Sequence, residues 1–581
     1  MRGRDKSIDC CIERPKPIEP IAAHSWRGSV NEERRVAELD AELRSLADQD
    51  PAEAIHKSRA LLSGSTNQQS VAAGVLIDAG ALTKDSQAIQ EGVQVFRELS
   101  QKYPESHGFR YNLANGLVTL ADTVPFQNLD WYLETSALRR EGRSLFERVA
   151  ANRGCGDVLR STAACNLANA YWKAHRWAEA YDAYLEALRF DSTNAIAQTG
   201  AARVLLRCAQ LRLGKPSVLM AVAQRHIERS ERHKDRLREL GGARAETDLS
   251  SLFEKKLPGG VSPDLSSADD YQLFVARNRL ALNLTIEGLD TSLKRWDSLQ
   301  IKSIAEPVST EGVSPLYAMF NVMKADFLTA RLLAYRALYG ETPDSGTYAD
   351  TLDYAQYGTS QSLLTIAQRT CIDVLDKMAV ATSEYFGLAG RFIYFSNRWY
   401  GDKLKGGGLQ WNPDLLDPIA KRNTALVALA EISLDIESGG ALHWNKLLRH
   451  ASTHRFIVTH DVGNSASRTS SFVDHYRSGD FGSSVIKSLQ LTRAALLYFV
   501  DLIAQHERPR RRGSECLLSF HNITKFEERK MKIRCISNKL TRFPGTDFLD
   551  YGSPPRSAQR LANCSRFVTG SRHLGSFHTC R

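Results

Sequence analysis

The chain of 581 residues has no CxxC pair, no GxxxxGK[ST] loop, no HExxH helix and no GxSxG elbow. Those absences remove the phosphate-cradling loop, the zinc-protease helix and the exposed serine nucleophile as readings. The 10 cysteines are ordinary for this length. The adjacent Cys10–Cys11 and the scattered Cys155, Cys165, Cys208 and Cys371 make no disulfide framework. Long apolar runs are missing as well. The opening MRGRDKSIDCCIERPKPIEP carries charges and prolines and no apolar h-region, so no secretory signal is read there. The most apolar stretch, Ala494–Ala504, is interrupted by Asp501 and is too short to span a bilayer. The expectation is a soluble, cytoplasmic protein with no membrane partner.

The basic balance is uneven. The chain holds 76 Lys and Arg against 66 Asp and Glu, a formal charge of +10. From Arg508 onward there are 16 basic and 5 acidic residues in 74 positions, which leaves 60 basic against 61 acidic in the other 507. The body is neutral, so overall basicity does not argue that it binds nucleic acid.

Apolar residues recur at three- and four-residue spacing almost throughout, and alternating strand-like runs are scarce. The fold expected is all-α. Two helices between Val30 and Ser63 break near Gln49-Asp50-Pro51, where Pro51 suits a first helical position after an Asp cap. Five regions follow from the pattern: an N-terminal arm (1–29), helical repeats (30–210), a connecting helix and linker (211–267), a second helical domain (268–507) and a basic tail (508–581).

Internal similarity appears between about Gln68 and Gln210. The clearest unit is ACNLANAYWKAHRWAEAYDAYLEALRFDSTNAIA, residues 164–197. Leu167, Ala168 and Tyr171 share one face of a first helix, and Ala180, Tyr184 and Ala187 line a second. Weaker copies are marked by Gly92, Phe96, Leu99 and Pro104, by Leu113, Ala114 and Leu117 with Gly142, Phe146 and Val149, and by Ala201, Ala202 and Leu205. This resembles the tetratricopeptide repeat, although Asp191-Ser192 stands where that family usually has proline. Plain helical hairpins are the alternative. The resemblance implies a groove for a protein or peptide partner. The mixed-charge run from Val218 to Leu240 reads as a connecting helix, followed by a linker containing Gly241-Gly242 and Leu257-Pro258-Gly259-Gly260.

Four amphipathic helices are expected beyond it: 315–340, 360–388, Pro418 to about Ser438 with a shorter piece Ala441–His454, and 483–508. Together they suit an up-and-down bundle. The loops Asn397–Pro413 and Asp461–Gly482 are long and rich in Gly and Ser, as a cover over a site or a plain surface loop would be. Between the third and fourth helices lies LLRHASTHRFIVTHD, residues 447–461, with Arg449 five positions before His454. On spacing alone the two are also cations near a helix C-terminus, where the dipole favours them.

The surrounding segments NRLALN (278–283), Leu316–Phe320 and Ala330-Arg331, DTLDYAQY (350–357), IDVLDKMAVATSEYF (372–386) and RHASTHRFIVTHD (449–461) occur in an order similar to the HEPN superfamily, in the bacterial branch that follows tetratricopeptide repeats, a resemblance covering roughly residues 268–505. The fold implied is a TPR-like helical repeat array followed by a HEPN-type four-helix bundle. The resemblance implies a metal-independent endoribonuclease, without cofactor, acting at a homodimer interface in toxin or phage-defence systems. It makes Arg449 and His454 the catalytic candidates, with RNA as substrate. Where the family usually has Asn or another polar residue after the arginine, this chain has His450. His450, Arg455, His460 and Asp461 are auxiliary candidates, each equally open to a capping or loop role.

The residue types suit the chemistry. A His titrating near neutrality can move the 2′-OH or leaving-group proton. An Arg guanidinium fits phosphate oxygens and stays charged. Five residues along a helix are about 140° apart, so one copy does not aim both groups at one point. Asp373, Asp376 and Glu384 of the second helix read as solvated positions, with positions facing the site as the alternative, and Phe386, Phe392, Phe395, Trp399 and Trp411 read as core, with base-stacking platforms as the alternative. The tail, with its arginines and with Cys516, Cys535, Cys564, Cys580, His521, His573 and His578, reads as a disordered extension or an RNA-binding arm. Its spacings lack the close pairs of a zinc module. The competing reading of the whole chain is a non-catalytic repeat adaptor whose helical domain only dimerises or binds nucleotide or RNA.

Overall fold

In the computed structural model the described residues are 30–125, 130–211, 213, 215–241, 265–283, 296–304, 314–340, 346–390, 393–401, 408–462 and 472–510, with strand residues 518–519 and 534–535. The expected N-terminal arm, the Pro258-Gly259-Gly260 linker, Phe392 and the tail cysteines and histidines other than Cys535 lie outside them.

The chain is all-α, with two small sheets added. Its first part runs through α1 (Val30–Gln49), α2 (Pro51–Leu61), α3 (Thr66–Thr83), α4 (Ser86–Lys102), α5 (His107–Thr123), α6 (Asp130–Glu134), α7 (Ser136–Ala151), α8 (Asp157–Lys173), α9 (Trp177–Phe190), α10 (Ala195–Gln210) and α11 (Pro216–Arg232). Successive helices pack on one another in a helical repeat-like succession. The break between α1 and α2 falls where Asp50 caps, its carboxylate accepting from Glu53 N at 3.1 Å. The polar run after Val218 is not one helix. It turns at His233 and continues as α12 over 234–241.

Small residues set the helix separations in this array. A Cβ on Gly92 of α4 would lie 2.6 Å from the Ala73 carbonyl oxygen of α3. A Cβ on Gly200 of α10 would lie 2.3 Å from the Tyr184 ring of α9. The large residues at the other positions, including Phe96, Leu167 and Tyr184, are buried between neighbouring helices.

The second part contains α13 (Asp270–Arg277), α14 (Pro315–Tyr339), α15 (Thr359–Phe386), α16 (Leu416–Ala420), α17 (Thr424–Ile436), α18 (His443–His454) and α19 (Ser478–Arg510). Helices α14, α15, α17 and α19 pack together, and α18 lies against α15 and α17. The third long helix starts at Thr424 and not at Pro418, because Asn423 caps it and accepts from Leu426 N at 3.1 Å. Gly439, at φ +86°, and Gly440 then end it and turn the chain into α18. A Cβ on Gly440 would sit 2.2 Å from the Asp435 carbonyl oxygen, so only glycine fits that approach.

Two of the segments that looked distinctive in the sequence, NRLALN and Ala330-Arg331, are structural. Leu280, Ala281 and Leu282 are buried, with the Leu280 carbonyl accepting from Arg331 Nη1 and the Ala281 carbonyl from Arg493 Nε. Arg331 also makes a two-bonded pair with Asp297 at 2.9 and 2.8 Å. Phe395, Trp399 and Trp411 are core residues.

Strands were not expected. Three of them, β2 (Ala355–Gln356), β3 (Phe456–His460) and β4 (Val473–Arg477), form one sheet in the order β2-β3-β4, with β2 antiparallel and β4 parallel to β3. The segment FIVTH is too short for a periodicity to separate strand from helix. β1 (Ser303–Ile304) pairs with Leu518–Ser519, which pairs in turn with Arg534–Cys535, so part of the tail joins a second small sheet. Cys155, Cys165, Cys208 and Cys371 are buried. Among the described residues no helix is long and apolar enough to cross a membrane.

Candidate functional site

Helix α18 carries the Arg449–His454 motif, and its amphipathicity orients it. Asn445, Leu448 and Ala451 are buried against the bundle. Asn445 Oδ1 accepts from Ser488 Oγ of α19 at 2.7 Å, which fixes the helix at its start. The opposite face, with His450 and His454, is exposed.

Arg449 lies on the flank between these faces and turns toward α15. Its Nη2 is 2.8 Å from Asp376 Oδ2 and 3.6 Å from Asp373 Oδ1. Asp376 Oδ1 accepts from Phe395 N at 2.9 Å, so this carboxylate also anchors the turn after α15. The sequence leaves Asp373 and Asp376 open between solvated positions and positions facing the site. Their i, i+3 spacing put both on one helix face, but only the packing of α18 showed which face that was.

His454 is the last residue of α18 and points to solvent, one residue before the chain enters β3. Within one copy, Arg449 and His454 therefore face different ways, as 140° of helical separation requires. His450 and His454 do come together: they are one helical turn apart, with ring centroids at 5.7 Å.

The auxiliary candidates divide. Arg455 is exposed and lies 3.6 Å from Asp474 Oδ1 on β4. His460 is buried and ties strands together: its Nδ1 donates to the Asp353 carbonyl at 3.0 Å, and its Nε2 meets His475 Nδ1 at 2.8 Å. A carbonyl only accepts, so His460 Nδ1 carries a proton. In the neutral ring Nε2 therefore accepts from His475. Asp461 is bonded to Gln356 Nε2 and its amide donates to the Tyr354 carbonyl. His475, the partner of His460, was missed from sequence because β3 and β4 are joined only by parallel pairing.

A second charged cluster lies where the array meets the bundle. Arg139 and Arg143 of α7 and Arg176 before α9 engage Glu431 and Asp435 of α17, all of them buried. Tyr498 of α19 accepts at its hydroxyl from Ala178 N at 3.0 Å, capping the first turn of α9.

Residues 307–506 match the model of the LA2681-like HEPN family, so this part of the chain is a HEPN-superfamily domain. The match spans α14 to α19 and includes Arg449 and His454. No curated protein and no solved structure matches the chain.

Proposed function

With residues 307–506 as a HEPN-superfamily domain, we propose that the chain is a metal-independent endoribonuclease of toxin or phage-defence type. The observation that carries this reading is the family match across the segment containing Arg449 and His454. Both residues border solvent in the second half of α18, Arg449 half-buried and His454 exposed.

The reaction is attack of a ribose 2′-oxygen on the adjacent phosphorus. An O2′–P bond forms and the P–O5′ bond breaks, leaving a 2′,3′-cyclic phosphate and a 5′-hydroxyl. His454 takes the 2′-OH proton or delivers one to the leaving 5′-oxygen. Arg449 binds the non-bridging oxygens as negative charge grows on them. Because one copy aims the two side chains apart, the working site is built by two HEPN domains about a two-fold axis, each supplying an Arg449 and a His454. The tetratricopeptide-like array holds or senses a protein partner.

Arg449 favours a second reading to be tested alongside. Its guanidinium is taken up by Asp376 and Asp373, as a structural arginine would be. In that case the chain is a non-catalytic adaptor whose bundle dimerises or binds nucleotide or RNA. The test is expression in cells and incubation of purified protein with total RNA, beside Arg449→Ala and His454→Ala. The nuclease reading expects toxicity and cyclic-phosphate ends from the wild type only. Equal cleavage by all three proteins would remove the site. Partner capture that survives both substitutions, with no toxicity, would establish the adaptor.

A further inference from the structure

His450 and His454 are the one pair of histidines four positions apart in the chain. Both imidazoles project from the exposed face of α18, and neither has a hydrogen-bond partner among the described residues. We propose that they form a two-imidazole site for a borderline transition-metal ion, Cu²⁺, Ni²⁺ or Zn²⁺, and that its occupation stops cleavage. The second half of this statement rests on the nuclease reading; the first does not.

The geometry is the first argument. A metal bound by two imidazoles lies about 2.0–2.1 Å from each nitrogen, which puts it roughly 3.2 Å from each ring centre. At a tetrahedral angle the two centres are then roughly 5.2 Å apart. From the observed 5.7 Å that separation is reached by small side-chain rotations, with no change in the helix. Residues at i and i+4 on a helix are the spacing by which two histidines share one metal.

Electrostatics is the second argument. His454 is the last residue of a helix of 12 residues, where the unsatisfied carbonyls favour a cation. The neighbouring positive charges are offset: Arg449 by Asp376 at 2.8 Å and Arg455 by Asp474 at 3.6 Å. Two nitrogen donors leave the remaining positions to water, so the site is reversible and selects for imidazole-preferring ions. Hard ions such as Mg²⁺ prefer oxygen donors and are not expected there.

The consequence follows from His454. A lone pair given to a metal cannot accept the 2′-OH proton, and a metallated ring has no proton to give from that nitrogen. His450, the second imidazole of the pair, would make the site sensitive to metal.

The experiment is calorimetric titration of untagged full-length protein with Cu²⁺, Ni²⁺, Zn²⁺ and Mg²⁺, followed by RNA cleavage at each metal concentration. One Cu²⁺ per chain is expected, bound more tightly than Ni²⁺ or Zn²⁺, with no heat from Mg²⁺. His450→Ala and His454→Ala should each weaken Cu²⁺ binding at least tenfold, and His443→Ala should not. Unchanged binding in His450→Ala overturns the site. Zn²⁺ should suppress wild-type cleavage and a chelator should restore it. The ratio of activities with and without Zn²⁺ should move toward one in His450→Ala. Binding without suppression overturns the inhibition. Binding by a protein that cleaves no RNA even when metal-free keeps the site but removes the nuclease reading along with the inhibition.

Discussion

Arg143 and Asp435 face each other through two parallel hydrogen bonds, Nε to Oδ2 and Nη2 to Oδ1, each 2.8 Å, with neither side chain exposed. One belongs to α7 of the array and the other to α17 of the bundle. Around them Arg139 and Arg176 balance Glu431 and Glu179, so three buried cations meet three buried carboxylates. Arg139 also lies over the Trp131 ring, 4.6 Å from its centre. A buried pair of this kind gains little over an apolar replacement, but removal of one member leaves a charge with no counterpart.

Arg143→Ala should accordingly cost about 3–5 kcal/mol. Denaturant unfolding followed separately by fluorescence and by circular dichroism measures it. The array and the bundle share this cluster, so both signals should move to lower denaturant together. A shift confined to one signal would show that the two parts are not coupled through Arg143.

Acid should loosen the same junction. Burial opposes ionisation of Glu431 and Asp435, yet the adjacent arginines outweigh it and hold both carboxyls below their usual values. Depressed carboxyls contribute stability that is present above the unfolded value near 4 and lost as pH falls through the folded values. Melting temperature should therefore drop steeply below about pH 4, and much less so in a protein carrying Glu431→Gln and Asp435→Asn, which starts from a lower value.

Asp501 has the opposite sign. Burial in the apolar part of α19 pushes its carboxyl up to about 6, with Gln505 Nε2 donating to it at 2.8 Å. Its contribution is favourable below the unfolded value near 4, declines as pH rises toward 6 and stays low above that. Asp501→Asn keeps the acceptor and removes the charge. Stability at pH 7.5 should rise by about 2–3 kcal/mol, with little change at pH 4. No gain at pH 7.5 would contradict this account.

Gly200→Ala should disrupt the packing of α10 on α9, because the added carbon meets the Tyr184 ring at 2.3 Å. A loss of roughly 1–3 kcal/mol is expected. Gly200→Ala combined with Tyr184→Leu should recover part of it. Thermal melts of the two variants measure the difference.

On the proposed nuclease function, Asp376→Ala should lower kcat of RNA cleavage about tenfold with little change in KM, since it removes the carboxylate that orients Arg449 and not the group that binds phosphate. A change confined to KM would mean that Asp376 only competes with substrate for the guanidinium.

Local rules made much of the fold legible. Asp50 and Pro51 mark a cap, the small–large alternation around Tyr171 and Tyr184 marks close helix pairs, and Gly439-Gly440 marks a break. Each signal acts within a turn or two of chain. The strands were not legible, because β3 gains its partners from residues 355–356 and 473–477 and its own five residues carry no decisive period. Arg449 and His454 were placed by motif, and His450 by its position in it. Asp376 and His475 were not, since each acquires its role from an element distant in sequence.

By itself, then, the sequence determined that the chain is helical, the extent of the two long helices over 315–340 and 360–388, and which segment resembles a HEPN motif. These depend on periodicity and capping between near neighbours. Only the tertiary structure decided that Arg449 is held by α15, that His450 and His454 meet on an open face, and that three arginines of the array close on the carboxylates of α17. The Arg449 and array–bundle pairings span tens to hundreds of residues and exist only once packing has chosen which helix faces meet; for His450 and His454, one turn apart, packing decided only that their face stays open.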